Sequence, residues 1–118
     1  MQLTTTFRDM DPSPALETAA QRWFTRLTHV SNRIVACHVS VEHPHKHQSH
    51  GSPFHINIVL TVPGAQLAVT NQAHEDAHVA LADAFRAARR QLLEHTDAQQ
   101  GFVRSQALDA AELGDLEP

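Results

Sequence analysis

Cysteine is almost missing from this chain: Cys37 is the only one among 118 residues. A lone thiol closes no internal disulfide and builds no cysteine zinc site, so a disulfide-stapled fold is excluded. Long apolar runs are missing too, and none approaches the roughly 20 residues that a membrane span needs. The N-terminus lacks the basic segment and apolar stretch of a secretory signal, so a cytoplasmic protein with no membrane partner is expected. Lysine is nearly absent; Lys46 is the single one, and every other basic side chain but histidine is arginine. An excess of positive charge is also lacking. The formal net charge is −4, which at first sight argues against a polyanionic partner.

What is present suffices for one domain. Apolar residues make up 42% of the chain, enough for a single packed core and too many for a wholly disordered chain. The charge is unevenly placed. Residues 1–100 carry eight of the nine Lys and Arg residues and nine of the thirteen acids. Residues 101–118 carry Arg104 against Asp109, Glu112, Asp115 and Glu117. All ten histidines fall in the first part. Unperturbed imidazoles titrate near about pH 6.5, so this part turns positive on mild acidification. The division expected is a domain over 1–100 and an acidic, flexible tail over 101–118.

Periodicity supplies the elements. Gln2-Leu-Thr-Thr-Thr-Phe7 is rich in β-branched residues and predicts a short strand. Ser13 followed by Pro14 is a helix start, with the hydroxyl as cap and proline where its missing N–H costs nothing. From there to about His29, Leu16, Ala20, Trp23, Leu27 and Val30 fall on one helical stripe. Arg22, Arg26 and His29 group beside it. Arg33 to Glu42 alternates, with Val35, Cys37, Val39 and Val41 to one side. A polar, proline- and histidine-rich connection follows, from His43 to Pro53. Phe54 to Val62 alternates again, Pro63-Gly64 marks a turn, and Gln66 to Thr70 is a fourth strand. A second helix is predicted from about His74 to His95, with Ala77, Leu81, Ala84, Phe85, Ala88 and Leu92 as its apolar stripe. Arg86, Arg89 and Arg90 lie opposite, and Gly101 is the expected stop. The order β-α-β-β-β-α predicts an α+β two-layer sandwich. Two helices cover one face of a four-stranded, mainly antiparallel sheet. The other face carries His38, Ser40, Glu42, His55, Asn57 and Thr61.

Several motifs invite chemistry. His74-Glu75-Asp76-Ala77-His78 matches H-E-x-x-H, in which two histidines one helical turn apart hold zinc and the glutamate activates its water. Here the motif opens a helix in a small two-layer domain with no obvious third ligand or cleft. Glu75 and Asp76 are better read as the cap and acidic first turn of that helix. His43, His45, His47 and His50 form a loop cluster open to three readings: a solvated or RNA-proximal loop, adventitious metal binding, or a functional metal site. Trp23, Phe54 and Phe85 share stripes with aliphatic neighbours and read as core rather than base-stacking residues. Cys37 points inward with no paired base, so it is buried and inert. No catalytic residue, metal site, cofactor or small-molecule substrate is assigned, and the chain is read as no enzyme. The arginines are open to two readings. One is a solvated helix face with local ion pairs, Asp83 with Arg86 and Arg90 with Glu94; the other is contact with phosphates.

The sequence resembles the ribosome hibernation-promoting factors, also called ribosome-associated translation inhibitors or sigma modulation proteins. The likeness is carried by Met1-Gln2-Leu3, Ala15-Leu16, Phe24, Arg26-Leu27, Arg33-Ile34, Asp76, Ala80, Arg90-Gln91-Leu92 and His95, with Leu60-Thr-Val-Pro-Gly64 and His74-Glu-Asp76. It covers roughly residues 1–100 and rests on the order of elements and scattered identities. The resemblance implies a β-α-β-β-β-α domain without enzymatic activity. It implies binding to the small ribosomal subunit in the channel used by messenger and transfer RNA, through basic side chains on ribosomal RNA phosphates. The residues it points to are Arg22, Arg26, Arg33, Arg86, Arg89 and Arg90, with Lys46 in the connection. One departure stands out. Family members commonly end the second helix in a lysine-rich run, where this chain reads Glu94-His-Thr-Asp-Ala-Gln-Gln100. Each missing cation removes a phosphate partner. The alternative is therefore a divergent member with weak ribosome affinity, acting as a protein- or metal-binding module.

Overall fold

In the computed structural model, residues 2–44 and 52–116 are described, with side chains for all of these except Asn71 and residues 99–116. Strand β1 (Gln2–Arg8) leads into helix α1 (Pro14–Val30). Strands β2 (Ala36–Glu42), β3 (Phe54–Val62) and β4 (Ala65–His74) follow, and helix α2 (Ala77–Leu116) closes the order. Lys46, with His45, His47 and His50, lies outside the described residues.

The four strands form one sheet in the order β1-β2-β3-β4. β1 runs parallel to β2, with Leu3 opposite Cys37 and Phe7 opposite Val41. A parallel neighbour cannot be reached by a tight turn, and α1 makes the crossover. The other two pairings are antiparallel. Val62 sits opposite Ala65, so Pro63 and Gly64 alone turn the chain. Gly64 takes φ 81°, a left-handed value at which a side chain is strained. Between β3 and β4 the register slips: Ile56 faces Gln72 whereas Ile58 faces Val69. The extra residue on β4 is a bulge, and it lets the strand run to His74, past the predicted end at Thr70.

The core lies between the sheet and the helices. β2 contributes Cys37, Val39 and Val41, and β3 contributes Ile56, Ile58, Leu60 and Val62, all on one face. α1 contributes Leu16, Ala20, Phe24 and Leu27; α2 contributes Ala80, Leu81, Ala84, Phe85, Ala87, Ala88 and Leu92. Burying one such large apolar side chain stabilises by roughly 1.5–3 kcal/mol. The alanines on α2 let its backbone approach β3 and β4 closely. Among the described residues no polar or charged residue is buried. The opposite sheet face carries the expected polar residues. There His38 Nε2 and Thr6 Oγ1 lie 2.8 Å apart in a hydrogen bond.

Three expectations are corrected by the packing. Ile34, not Val35, is buried ahead of β2; Val35 is 53% exposed because regular pairing begins only at Ala36. On α1 it is Phe24 that fills the core, while Trp23 is only partly buried at its edge. α2 starts at Ala77, three residues later than predicted, and continues through Gly101 to Leu116. A single glycine costs a helix about 1 kcal/mol. The alanines, leucines and glutamines around it are strong helix formers and outweigh that cost.

Candidate functional site

α1 and α2 pack against each other through their edges, and the seam between them is where charge gathers. Trp23 follows Ala20 by three residues and precedes Leu27 by four, which brings it beside the core stripe and toward α2. Its ring stacks on Phe85 of α2, with centroids 6.1 Å apart and planes 12° apart. Arg26, one turn on from Trp23, places its guanidinium carbon 5.1 Å from the Trp23 ring centroid. Arg86 reaches the same ring from α2, at 5.9 Å. A cation over an indole face gains roughly 0.5–1 kcal/mol at exposed sites. That is enough to bias these side chains toward the seam without locking them there.

The result is an open groove of about 180 Å³ lined by Trp23, Arg26, Leu27, Phe85, Arg86 and Arg89. Its lining is almost wholly apolar, and three arginines contribute to it, one from α1 and two from α2. Among the described residues one carboxylate pairs with these arginines: Asp83 Oδ1 accepts from Arg86 Nη1 at 3.4 Å. Both side chains of the pair are well exposed, at 68% for Arg86 and 45% for Asp83. A pair of this kind stabilises by at most about 1 kcal/mol, and solvent screens it.

Of the remaining expected cations, none of those described lines this groove. Arg22 and Arg90 are exposed on α1 and α2, outside its lining. Arg33 is exposed between α1 and β2, where its backbone N–H donates to Ser31 Oγ at 3.2 Å. Lys46 is outside the described residues. Of the two ion pairs considered from sequence, Asp83 with Arg86 is formed, and Arg90 with Glu94 is not among the described pairs. The sequence reading missed Trp23 as a groove residue and placed it in the core, whereas Asp83 was read correctly as a partner of Arg86. The signal available was the spacing of Trp23 and Arg26, one helical turn apart.

The H-E-x-x-H segment does not form a metal face. His74 is the last residue of β4, so the two histidines are not one turn apart on a helix. His74 Nδ1 instead accepts from the Asp76 N–H at 2.9 Å. Asp76 Oδ1 accepts from the N–H groups of His78 at 2.9 Å and Val79 at 3.4 Å. Asp76 is thus the N-cap of α2, satisfying donors that the first turn leaves without partners. Among the described residues no group of three or more His, Cys, Asp and Glu side chains is placed to hold a metal ion. Cys37 is 1% exposed, and burial pushes its thiol up from 9.0 to about 12. No helix among the described residues is long and apolar enough to cross a membrane.

The profile of the family described as "Sigma 54 modulation protein / S30EA ribosomal protein" matches residues 3–100. The chain belongs to that family. This is the family the sequence resembles, and it is a non-enzymatic one. Among curated proteins no sequence match is found. A solved structure described as a ribosomal subunit interface protein from Coxiella burnetii is similar in fold. It shows a TM-score of 0.71 at 15% identity over 82% of this chain and 99% of that one. The N-terminal domain of Thermus thermophilus Protein Y is similar too, with a TM-score of 0.62 at 17% identity over 76% and 90%. At such identities the likeness speaks for the shared fold.

Proposed function

We propose that this protein binds the small ribosomal subunit, in the channel used by messenger and transfer RNA, and holds idle ribosomes inactive. The observation that carries the reading is the convergence of Arg26 from α1 with Arg86 and Arg89 from α2 on one groove. Ribosomal RNA offers a folded phosphate surface. Guanidinium groups suit it because each can donate two hydrogen bonds to one phosphate. Arg22, Arg33 and Arg90 extend the cationic surface beyond the groove, and Lys46 belongs to the same proposed set. The mechanism is occlusion. A domain seated on phosphates fills space that translation needs, with no bond made or broken, no cofactor and no small-molecule substrate. Such a protein works in the cytoplasm.

The family match ends at residue 100, in keeping with a ribosome-binding domain over 1–100 followed by an acidic segment over 101–118. A second reading is favoured by the sequence at the end of the match. Glu94 and Asp97 stand there, and a lysine-poor member with weak ribosome affinity would act instead as a module for another protein or a metal ion.

Sedimentation through a gradient with purified small subunits, at low and at physiological salt, separates the two. The ribosome-binding reading expects the protein in the subunit fraction at low salt, and its release when Arg86, Arg89 and Arg90 are all changed to Glu. If the protein stays at the top of the gradient at low salt, or if the triple variant sediments unchanged, this function is excluded.

A further inference from the structure

The geometry points to the α1–α2 groove as a seat for an unpaired RNA base, with Trp23 as its stacking wall and Arg26, Arg86 and Arg89 holding the flanking phosphates. The inference rests on the proposed RNA partner and goes further. It assigns the groove a single-stranded nucleotide and not merely a stretch of duplex backbone.

Three observations carry it. The first is the exposure of Trp23. Phe24 beside it is buried at 5% exposure, whereas Trp23 is held at the edge of the core. Its contact with Phe85, 6.1 Å between centroids at 12°, fixes the indole plane from the α2 side. A ring fixed in this way loses little freedom when a base stacks on it. The second is the groove itself, whose floor is made by Trp23, Leu27 and Phe85. Phosphates gain nothing from an apolar floor, but the face of a base does. The third is charge. Three arginines line that floor, and among the described residues one carboxylate, that of Asp83, pairs with them, exposed and 3.4 Å from Arg86. An apolar slot lined in part by arginines complements a nucleotide, which is flat and apolar on its base faces and anionic along its backbone. The Arg26 and Arg86 guanidinium carbons lie 5.1 and 5.9 Å from the indole centroid, held there only weakly, so an entering base displaces them from the ring and they turn to its flanking phosphates. Duplex RNA keeps its bases paired and stacked inside, so a loop, bulge or single strand is the form that fits.

The chain contains one tryptophan, so intrinsic fluorescence reports on this groove directly. The full-length protein is titrated with single-stranded hexa-adenylate, with inorganic polyphosphate, and with a blunt RNA duplex. Hexa-adenylate is expected to quench Trp23 emission saturably and strongly through stacking, whereas polyphosphate and duplex, which only draw Arg26 and Arg86 off the ring, shift it far less. By anisotropy of end-labelled hexa-adenylate, Trp23→Leu is expected to weaken binding roughly 5- to 150-fold, the range for loss of one stacked base. Its affinity for polyphosphate stays unchanged. Trp23→Phe, which keeps a ring, restores most of the hexa-adenylate affinity and guards against a merely structural defect. The inference is overturned if hexa-adenylate quenches Trp23 emission no more than polyphosphate does, if Trp23→Leu binds it as tightly as the parent, or if Trp23→Phe fails to restore binding lost in a folded Trp23→Leu protein. These results stand apart from the sedimentation outcome. Arginine-dependent binding to subunits with no quenching removes only the base seat. Quenching by hexa-adenylate without sedimentation removes the ribosomal partner and leaves the base seat in place.

Discussion

At the scale of single residues, burial decides which groups do chemistry and which do not. Cys37 faces the core from the middle of the sheet, between Leu3 and Leu60 in register. Burial raises its thiol from 9.0 to about 12 because the thiolate would lose its hydration. Below about pH 9 the thiol is protonated in the folded and unfolded chains alike, and it adds no pH dependence. Between 9.0 and about 12 only the unfolded chain ionises. Stability should therefore fall as pH rises through that window, with a limiting slope of about 1.4 kcal/mol per pH unit from this group. Chemical unfolding of the parent and of Cys37→Ala at pH 8 and pH 10.5 measures it, since only the parent carries this term. Asp83 works the other way, exposed and at the rim of a cationic groove. Asp83→Asn removes the carboxylate that pairs with Arg86, at little cost to stability. It should raise affinity for small subunits about 2- to 5-fold at low salt, as expected for losing about 0.5–1 kcal/mol of competition. Equal affinity of parent and variant would show that Asp83 does not compete with phosphate.

At the scale of elements, most boundaries were legible because they rest on local chemistry. The alternation of Cys37, Val39 and Val41, and of Ile56, Ile58 and Leu60, marks half-buried strands whatever the tertiary context. Ser13 caps α1 as its sequence predicts, with its hydroxyl accepting from the Leu16 N–H at 3.3 Å. Where the reading slipped, two local signals competed. Trp23 and Phe24 are adjacent large apolar residues about 100° apart on a helix, and the period alone does not say which enters the core. In the fold Phe24 enters the core and Trp23 meets Phe85 of α2 at its edge, an outcome that depends on how both helices pack and not on α1 alone. The start of α2 slipped for a similar reason. His74 to Asp76 holds both a strand end and a cap, and the β-bulge that extends β4 to His74 arises from pairing with β3. The cap can be tested by itself. Asp76→Ala leaves the His78 and Val79 N–H groups without their acceptor and should cost about 1 kcal/mol of unfolding free energy. Asp76→Ser, which retains an acceptor oxygen, should recover most of that loss. Urea unfolding of the three proteins checks both, and a loss that serine does not recover would mean that Asp76 acts by its charge rather than as a cap.

At the scale of the whole molecule, the groove could not be read from the sequence although every one of its cations could. Arg26, Arg86 and Arg89 were visible as helix-surface arginines. That α1 and α2 cross so as to aim them at one seam is set by the packing of both helices on a shared sheet. The same scale governs a conflict in the charge. The protein is acidic overall, at −4, yet its groove is cationic, and the tail from 101 to 118 contributes four acids against Arg104. α2 carries the chain through this segment as far as Leu116. Its last buried residue among those described is Leu92, so removing residues 101–118 leaves the described core intact. Removal takes away a net charge of −3, which acts on a polyanion by repulsion that salt screens over about 8 Å at physiological ionic strength. The chain ending at Gln100 should therefore bind small subunits more tightly than the full chain at low salt, by roughly 3- to 10-fold, with the difference shrinking as salt rises. The slope of log affinity against log salt reads a separate quantity, the number of phosphates neutralised. Each of Arg26→Ala, Arg86→Ala and Arg89→Ala should lower it by about 0.7–0.9. A truncated chain that gains affinity equally at all salt concentrations would mean that the tail acts by covering the groove rather than by its charge. One that gains none would leave the acidic segment without a part in binding.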